Sequence, residues 1–243
     1  MSKDVLYCGD ATLESGACYL AGIMTRAGIG YDYVPFDVEL PSGQLDHDYR
    51  LYLLSDYPSG MLPEPAMTTI IERVEAGASL LMIGGWESFH GLIGHYHRTP
   101  LAKVLPVDCL DHDDRNNWYQ GLMPEVTTSH PSIAGLPWDE PPVVCGYNEV
   151  KAKPGSTVVL SLRKVLIKNG AVSLDEHRLP LLVVGSYGKG RTGAFSTDIA
   201  PHWVGGMVDW GKGRVKAQAP GARAIEVGDA YAGFIEKLIR FFL

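Results

Sequence analysis

Three scarcities narrow the possibilities for this chain before any motif is considered. Cysteine is sparse: the four residues among 243, Cys8, Cys18, Cys109 and Cys145, are widely spaced and form no Cys-x-x-Cys pair. This excludes the dense disulfide framework of small secreted domains and leaves reduced thiols whose default role is packing. Long apolar runs are also missing, and none approaches the roughly 18 to 20 residues that a membrane-spanning helix needs. Positive charge is the third: 21 Lys and Arg stand against 28 Asp and Glu, a net charge of −7, with no sustained basic stripe. Neither nucleic acid nor an anionic membrane is therefore an expected partner. Lys3 and Asp4 lead straight into a strand-like run without an export signal, so the expected location is the cytoplasm.

What the chain does contain is ordinary globular material, 46% hydrophobic and 20% charged, enough to bury a full core. No repeat, low-complexity tract or linker divides it, and residues 1–243 are read as one domain. The apolar run from Val5 to Cys8 precedes a helical stretch, Ala11 to Ala27, closed by Gly28 and Gly30. Strand-like segments follow at Tyr31 to Phe36 and Tyr49 to Leu54. A helix is expected from Pro63 to Ala76, with Met67, Ile70, Ile71 and Val74 on one face, and then a fully apolar strand from Ser79 to Ile83. Strands that are apolar without alternation, separated by helices, are what a parallel sheet covered on both faces requires.

After Pro100 the pattern loosens. Asp108 to Tyr119 is polar and acidic and reads as a solvated loop, and Ser129 to Trp138 is a turn-rich connector. Val143 to Val150, Thr157 to Leu162, and Leu179 to Val184 read as strands of antiparallel style. A hairpin hinged on Gly185 to Gly190 leads into Arg191 to Thr197. The Gly-rich stretch Gly205 to Gly228, with Lys212, Arg214, Lys216 and Arg223, is expected as a solvated loop before a final amphipathic helix, Asp229 to Phe242. Gly188, Gly190 and Gly193 have loose dinucleotide-motif spacing, but they lie in the hairpin and carry no such meaning.

In an open parallel sheet, ligands bind beyond the carboxyl ends of the strands. Three such ends are polar or glycine-rich: Gly9-Asp10, Ser55-Asp56-Tyr57, and Gly84-Gly-Trp-Glu-Ser-Phe-His-Gly91. A fourth polar group, Ser196 to Trp203, follows a late strand. There Asp198 can orient His202 as a base, with Glu87 or Ser88 supplying an acid or a nucleophile. Asp10, Asp56, Gly85, Trp86, His90 and Trp203 complete the expected lining, with the two indoles as flat walls for a small ligand. His90, His95 and His97 are the candidates for metal ligation, the last two in His-x-His spacing, although no metal or other cofactor is expected.

The motif after the fourth strand, the continuation Thr99 to Val107, the connector Ser129 to Trp138, and the segment Gly188 to Trp203 occur in the order of a known bacterial family. Over nearly its whole length the chain resembles the glutamine amidotransferase-like proteins, whose relatives include trehalose-utilisation-type proteins and the trimerisation domain of some β-galactosidases. The resemblance implies a flavodoxin-like, class I glutamine amidotransferase-like α/β fold: a mostly parallel sheet with helices on both faces and extra antiparallel strands in the second half. A working glutaminase of this fold keeps a cysteine at the sharp turn after the corresponding strand, a histidine as base and a glutamate to orient it. Here that turn reads Gly84-Gly85-Trp86-Glu87, and the late histidine-x-glutamate pair is absent. The expectation is a protein without the nucleophilic thiol that binds a small polar or carbohydrate-like ligand, or serves in a homo-oligomeric assembly. The alternative is a hydrolase built on Asp198 and His202 with Glu87 or Ser88, in a minor version assisted by a metal at His90, His95 and His97.

Overall fold

In the computed structural model, which describes residues 2–243, the chain runs β1 (Val5–Gly9), α1 (Cys18–Arg26), β2 (Tyr31–Val34), β3 (Leu51–Ser55), α2 (Glu64–Ala76) and β4 (Ser79–Ile83). It continues through β5 (Val107–Cys109), β6 (Arg115–Val126), β7 (Val144–Asn148), β8 (Val150–Ala152), β9 (Thr157–Lys168), β10 (Ala171–Leu174), β11 (Leu179–Tyr187) and β12 (Gly190–Phe195). A short helix α3 (Pro201–Val204), the pair β13 (Arg214–Ala217) and β14 (Ile225–Gly228), and α4 (Asp229–Phe242) complete it.

β1, β3 and β4 are apolar at nearly every position because both of their faces are covered. Val5 and Tyr7, Leu51 and Leu53, and Leu81 and Ile83 enter one core, closed by α1 and α4. The alternate residues Leu6 and Cys8, Tyr52 and Leu54, and Leu80 and Met82 enter a second core beneath α2. Burying one such side chain contributes about 1.5–3 kcal/mol, so this two-sided stacking dominates the stability of the sheet. The helix α4 fits the first core through Phe234, Ile235, Leu238, Ile239 and Phe242, the i, i+3/i+4 stripe an amphipathic helix needs.

The main sheet has the order β2-β1-β3-β4-β12-β11-β9-β6-β7, with β10 paired to β9. Its first five strands are parallel neighbours and the remainder are antiparallel. With β12 in fifth place, the parallel part follows the doubly wound order 2-1-3-4-5, whose switch point lies between β1 and β3. The hairpin β11–β12 turns the chain so that β12 runs alongside β4, which carries Ser196 to Asp198 to the same edge as Gly9 and Gly84. Among the described residues no helix is long and apolar enough to cross a membrane.

Several elements differ from expectation. Helix α1 begins at Cys18, not Ala11, because Ser15 and Ala17 donate to the Thr12 carbonyl in turns that occupy the intervening residues. The acidic segment expected as loop contributes β5 and enters β6, a strand of 12 residues held between β7 and β9. Strand β9 runs past Leu162 to Lys168 and turns through Asn169-Gly170, both at positive φ, the chemistry of a two-residue hairpin. The stretch from Gly205 to Gly228 holds the β13–β14 pair, not loop alone.

Gly193 of β12 marks a close approach of sheet and α4: a Cβ there would lie 2.3 Å from Phe242 Cζ and 2.9 Å from Leu81 Cδ1. Gly193→Ala is expected to destabilise the fold by about 1–3 kcal/mol in urea unfolding. Combining it with Phe242→Leu should cost less than the sum of the two single changes, whereas additivity would contradict the contact.

Candidate functional site

The ends of β1 and β3 flank the switch point, and each terminates in an aspartate with left-handed backbone, Asp10 at φ 52° and Asp56 at φ 52°. Asp tolerates that conformation better than most residues, and strain of this kind concentrates at functional sites. Gly9 makes the approach feasible, since a Cβ there would sit 1.6 Å from the Ser55 carbonyl oxygen. The Asp10 amide donates to that same carbonyl at 2.7 Å. Tyr7 donates its phenol proton to Asp10 Oδ2.

Beyond β4 the chain turns through Gly84 and Gly85. Gly84 donates to the carbonyls of Phe195 and Thr197, tying the turn to β12. Asn148 grips Gly85 from both sides, accepting from its amide at 2.9 Å and donating to its carbonyl at 3.0 Å. Gly85 is required here because a Cβ would meet Asp56 Oδ1 at 2.3 Å. Without one, that carboxylate closes on the turn and accepts from the Glu87 amide at 2.5 Å. Past the end of β12, Asp198 accepts from the amides of Ile199 and Ala200 through Oδ1 at 2.5 and 3.1 Å. Its other oxygen faces His202 Nε2 at 3.1 Å, outside hydrogen-bond alignment, and has no other donor.

Asp10, Asp56, Glu87 and Asp198 thus share one small volume with His202 as the basic group at its edge. Burial pushes Asp10 up to about 7, assisted by the charge of Asp198, while the bond from Tyr7 and the charge of His202 pull it back. Burial also carries Asp198 up to about 7 against the bonds from Ala200 and Ile199, with Glu87 adding repulsion. Asp56 is held well above the usual carboxylate range by burial, then by Asp198 and Glu87. Adjacent buried carboxylates cannot all ionise readily, and Asp10 and Asp198 keep their protons up to about pH 7.

The structure divides the residues singled out from sequence. Asp10, Asp56, Gly85, Glu87, Asp198 and His202 lie at the converging strand ends, and Trp86 is exposed at the rim with the Arg115 guanidinium stacked 4.7 Å over its ring. Three residues depart from their expected roles. Ser88 is 1% exposed, donates to the Ile83 carbonyl at 2.5 Å and accepts from the Asp56 amide at 3.0 Å, so its hydroxyl holds the turn. Trp203 is buried against Gly146 and donates to Asn117 Oδ1 at 2.6 Å, which removes it as an open wall. His90 is buried, with its amide on Asp114 and its Nδ1 on the Gly91 carbonyl, in a group with His95 and His97. His202 makes no hydrogen bond to Ser88 or Glu87 among the described residues. The acidic run also hides a structural member: Asp114 is 1% exposed and accepts from His90, Gly91 and Asn148.

Sequence reasoning missed Tyr7, Asn148 and Asp114. All three act by bonding to a site residue or its turn across the fold, and no local spacing marks them. A cavity of about 560 Å³ lies elsewhere, lined by Leu136, Trp210, Lys212 and Asp229 among others. It gathers no comparable set of perturbed groups, so the strand-end cluster is the stronger candidate. None of the thiols takes the place of the missing nucleophile at the turn after β4: Cys8 is buried within β1, Cys18 is buried at the start of α1 beside Arg223, its pKa raised by burial and, to a small extent, by the charge of Asp10, and Cys109 is pushed up to about 12 by burial. Cys145 is exposed on β7 beside Gly205.

A doubly wound sheet with polar strand ends at its switch point and an antiparallel extension defines a class I glutamine amidotransferase-like α/β protein. The chain belongs to the family described as "Putative glutamine amidotransferase", whose model matches residues 57–215. It is similar to the cytoplasmic protein STM3548 of Salmonella typhimurium, at 27% identity and TM-score 0.75, covering 98% of each chain. It is also similar to the cytoplasmic protein STM1381 of Salmonella typhimurium LT2, at 31% identity and TM-score 0.68, covering 82% of this chain and 89% of that one. A ThuA-like protein of Parabacteroides merdae shares the fold at 12% identity and TM-score 0.60, over 98% of this chain and 89% of that one. A comparison with curated proteins finds no match.

The raised carboxylates fix a direction of pH dependence. Their folded pKa values lie above the unfolded aspartate value of about 3.9, so the native state keeps protons that the unfolded chain releases, and stability falls as pH rises from about 4 through 7. Asp198→Asn keeps the Oδ1 acceptor and removes the charge. Its melting temperature should gain on the wild type at pH 8 and converge with it near pH 4, as read by scanning calorimetry. An identical pH profile for both proteins would contradict the assignment.

Proposed function

We propose that the strand-end crevice binds a small ligand rich in hydrogen-bond donors, a polyol or a carbohydrate-like molecule, and performs no thiol-dependent glutaminase chemistry. The observation that carries this reading is the convergence of Asp10, Asp56, Glu87 and Asp198, three of them with pKa values raised by burial, with the exposed His202 at the edge as the basic group whose charge pulls Asp10 back. Such a site presents acceptors, favours hydroxyl donors and disfavours phosphates or lone carboxylates. The ligand meets the rim first, at His202, Glu87 and Trp86, while the buried aspartates set the charge beneath. The turn that holds a cysteine in a working glutaminase of this fold carries Gly84-Gly85-Trp86 here, and among the described residues no thiol hydrogen-bonds to His202. A cytoplasmic location accords with the names of the two Salmonella relatives. Self-association is part of the same reading, with exposed Tyr119, Ile167 and Val172 on β6, β9 and β10 as the apolar surface available for it.

A second reading, hydrolysis, is favoured by one specific observation, the 3.1 Å approach of exposed His202 to wholly buried Asp198. In it Asp198 orients the imidazole, His202 removes a proton from water, and water takes the nucleophilic role that Ser88 cannot fill.

A thermal-shift screen over sugars, polyols and amino acids separates the readings, because a ligand that binds only the native state must raise its melting temperature. A hydroxyl-rich ligand should stabilise the wild type, lose its effect in Glu87→Gln and Trp86→Ala, and be recovered chemically unchanged. Recovery of a cleaved ligand, with turnover reduced about 10²- to 10⁴-fold by His202→Gln, would favour hydrolysis instead. Glutamine turnover that disappears on changing one cysteine would overturn both readings.

A further inference from the structure

His90, His95 and His97 lie on one short loop after β4, and the structure folds that loop back on itself. The Leu92 amide donates to the Trp86 carbonyl at 2.6 Å, His95 to His90 at 3.1 Å, and Tyr96 to Phe89 at 2.7 Å. Asp114 grips the amides of His90 and Gly91, and Tyr96 anchors its hydroxyl on the Tyr57 carbonyl at 2.6 Å. The result brings the His90 ring centroid within 4.9 Å of His95 and 5.0 Å of His97. One ligating atom from each residue lies within 4.8 Å of the others.

Two further observations set this group apart from a chance cluster. The Nδ1 atoms of His95 and His97 are both buried with no hydrogen-bond partner. An orphaned buried polar atom costs about 1–3 kcal/mol, and two on neighbouring imidazoles call for an explanation such as an ion. His95 also sits in the left-handed region, φ 49° and ψ 27°, which a non-glycine residue adopts only when its surroundings hold it there. Meanwhile His90 directs Nδ1 to the Gly91 carbonyl at 2.9 Å, the outer bond that metal-bound imidazoles usually make, and this leaves Nε2 for coordination.

We propose that His90, through Nε2, and His95 and His97, through Nδ1, form a binding site for a divalent transition metal of the zinc class, with the remaining coordination positions open to water or an anionic ligand. All-imidazole sets suit Zn²⁺ and its neighbours over Mg²⁺ or Ca²⁺, and three protein ligands with an open position are the pattern of a reactive zinc site. With metal–nitrogen distances of about 2.0–2.1 Å the three donors must close slightly on the ion. Arg98 donates to His97 Nε2 at 2.9 Å, which places the ring proton of His97 on Nδ1. Coordination through Nδ1 shifts that proton to Nε2 and releases Arg98, so the guanidinium competes with the ion for this ring. The site does not depend on the carboxylate crevice, and the two proposals fail separately.

The test is titration of tag-free, chelator-stripped full chain with ZnCl₂ by calorimetry and with CoCl₂ by visible absorption. The wild type should bind one ion per chain, gain thermal stability with Zn²⁺, and develop the d–d bands of four- or five-coordinate Co²⁺. His95→Asn, which tolerates the left-handed backbone, and His97→Gln should each weaken binding at least tenfold while keeping the wild-type circular dichroism without metal. Arg98→Ala should bind more tightly, a gain that simple disruption of the loop cannot produce, and Asp198→Asn should bind as the wild type does. Absence of stoichiometric binding by the wild type, undiminished binding by folded H95N and H97Q, or weaker binding by R98A overturns the assignment.

Discussion

Several carboxylates can be buried side by side only if some of them keep their protons, and that constraint organises this protein. Asp10, Asp56 and Asp198 are brought together by the sheet itself, since each follows a strand whose position in the order β1, β3, β12 is set by the two cores. Their separation from water raises the energy of the charged forms, and proximity raises it further. Tyr7, the amides of Ile199 and Ala200, and His202 each offset part of that cost. The cluster lowers stability at neutral pH, and a fold commonly tolerates such a cost at a functional site.

From this follows the character of the chemistry available. A thiol nucleophile works when cationic neighbours or helix N-termini stabilise the thiolate, whereas the crevice here is negative and its turn after β4 carries glycine and an indole. What the site offers instead is acceptors, an exposed imidazole at the rim, and protons held near the ambient pH by Asp10 and Asp198. These features accord with recognition of hydroxyl donors, or with proton transfer to water, more readily than with acyl transfer through sulfur. The histidine loop is chemically separate: its three imidazoles face one another, its His90 and Gly91 amides are held by Asp114, and Asn148 joins that carboxylate to the Gly85 turn.

Much of the parallel half was legible because its strands are continuous apolar runs. Val5 to Cys8, Tyr49 to Leu54 and Ser79 to Ile83 each needed two covered faces, and the helices between them supplied the cover. The antiparallel half was harder to read. In β6, Arg115, Asn116, Asn117 and Tyr119 leave little apolar pattern, and the strand forms because β7 and β9 supply backbone partners on both sides. At the site, Asp10, Asp56 and Asp198 were legible from their places after strands, as the general geometry of open sheets predicts. Trp203 and Ser88 were misleading because residue type reveals polarity or flatness but not which way a side chain is committed. Asn148 and Asp114 left no local signal at all, since their partners lie across 63 and 24 residues of chain.

The shared protons are the centre of this account, and carboxyl ¹³C NMR of aspartate-labelled protein, titrated from pH 4 to pH 9, observes them directly. Resonances assigned by Asp10→Asn and Asp198→Asn should titrate near pH 7, each shifting when the other residue is replaced. Two independent transitions near pH 4, each indifferent to loss of the other carboxylate, would contradict it.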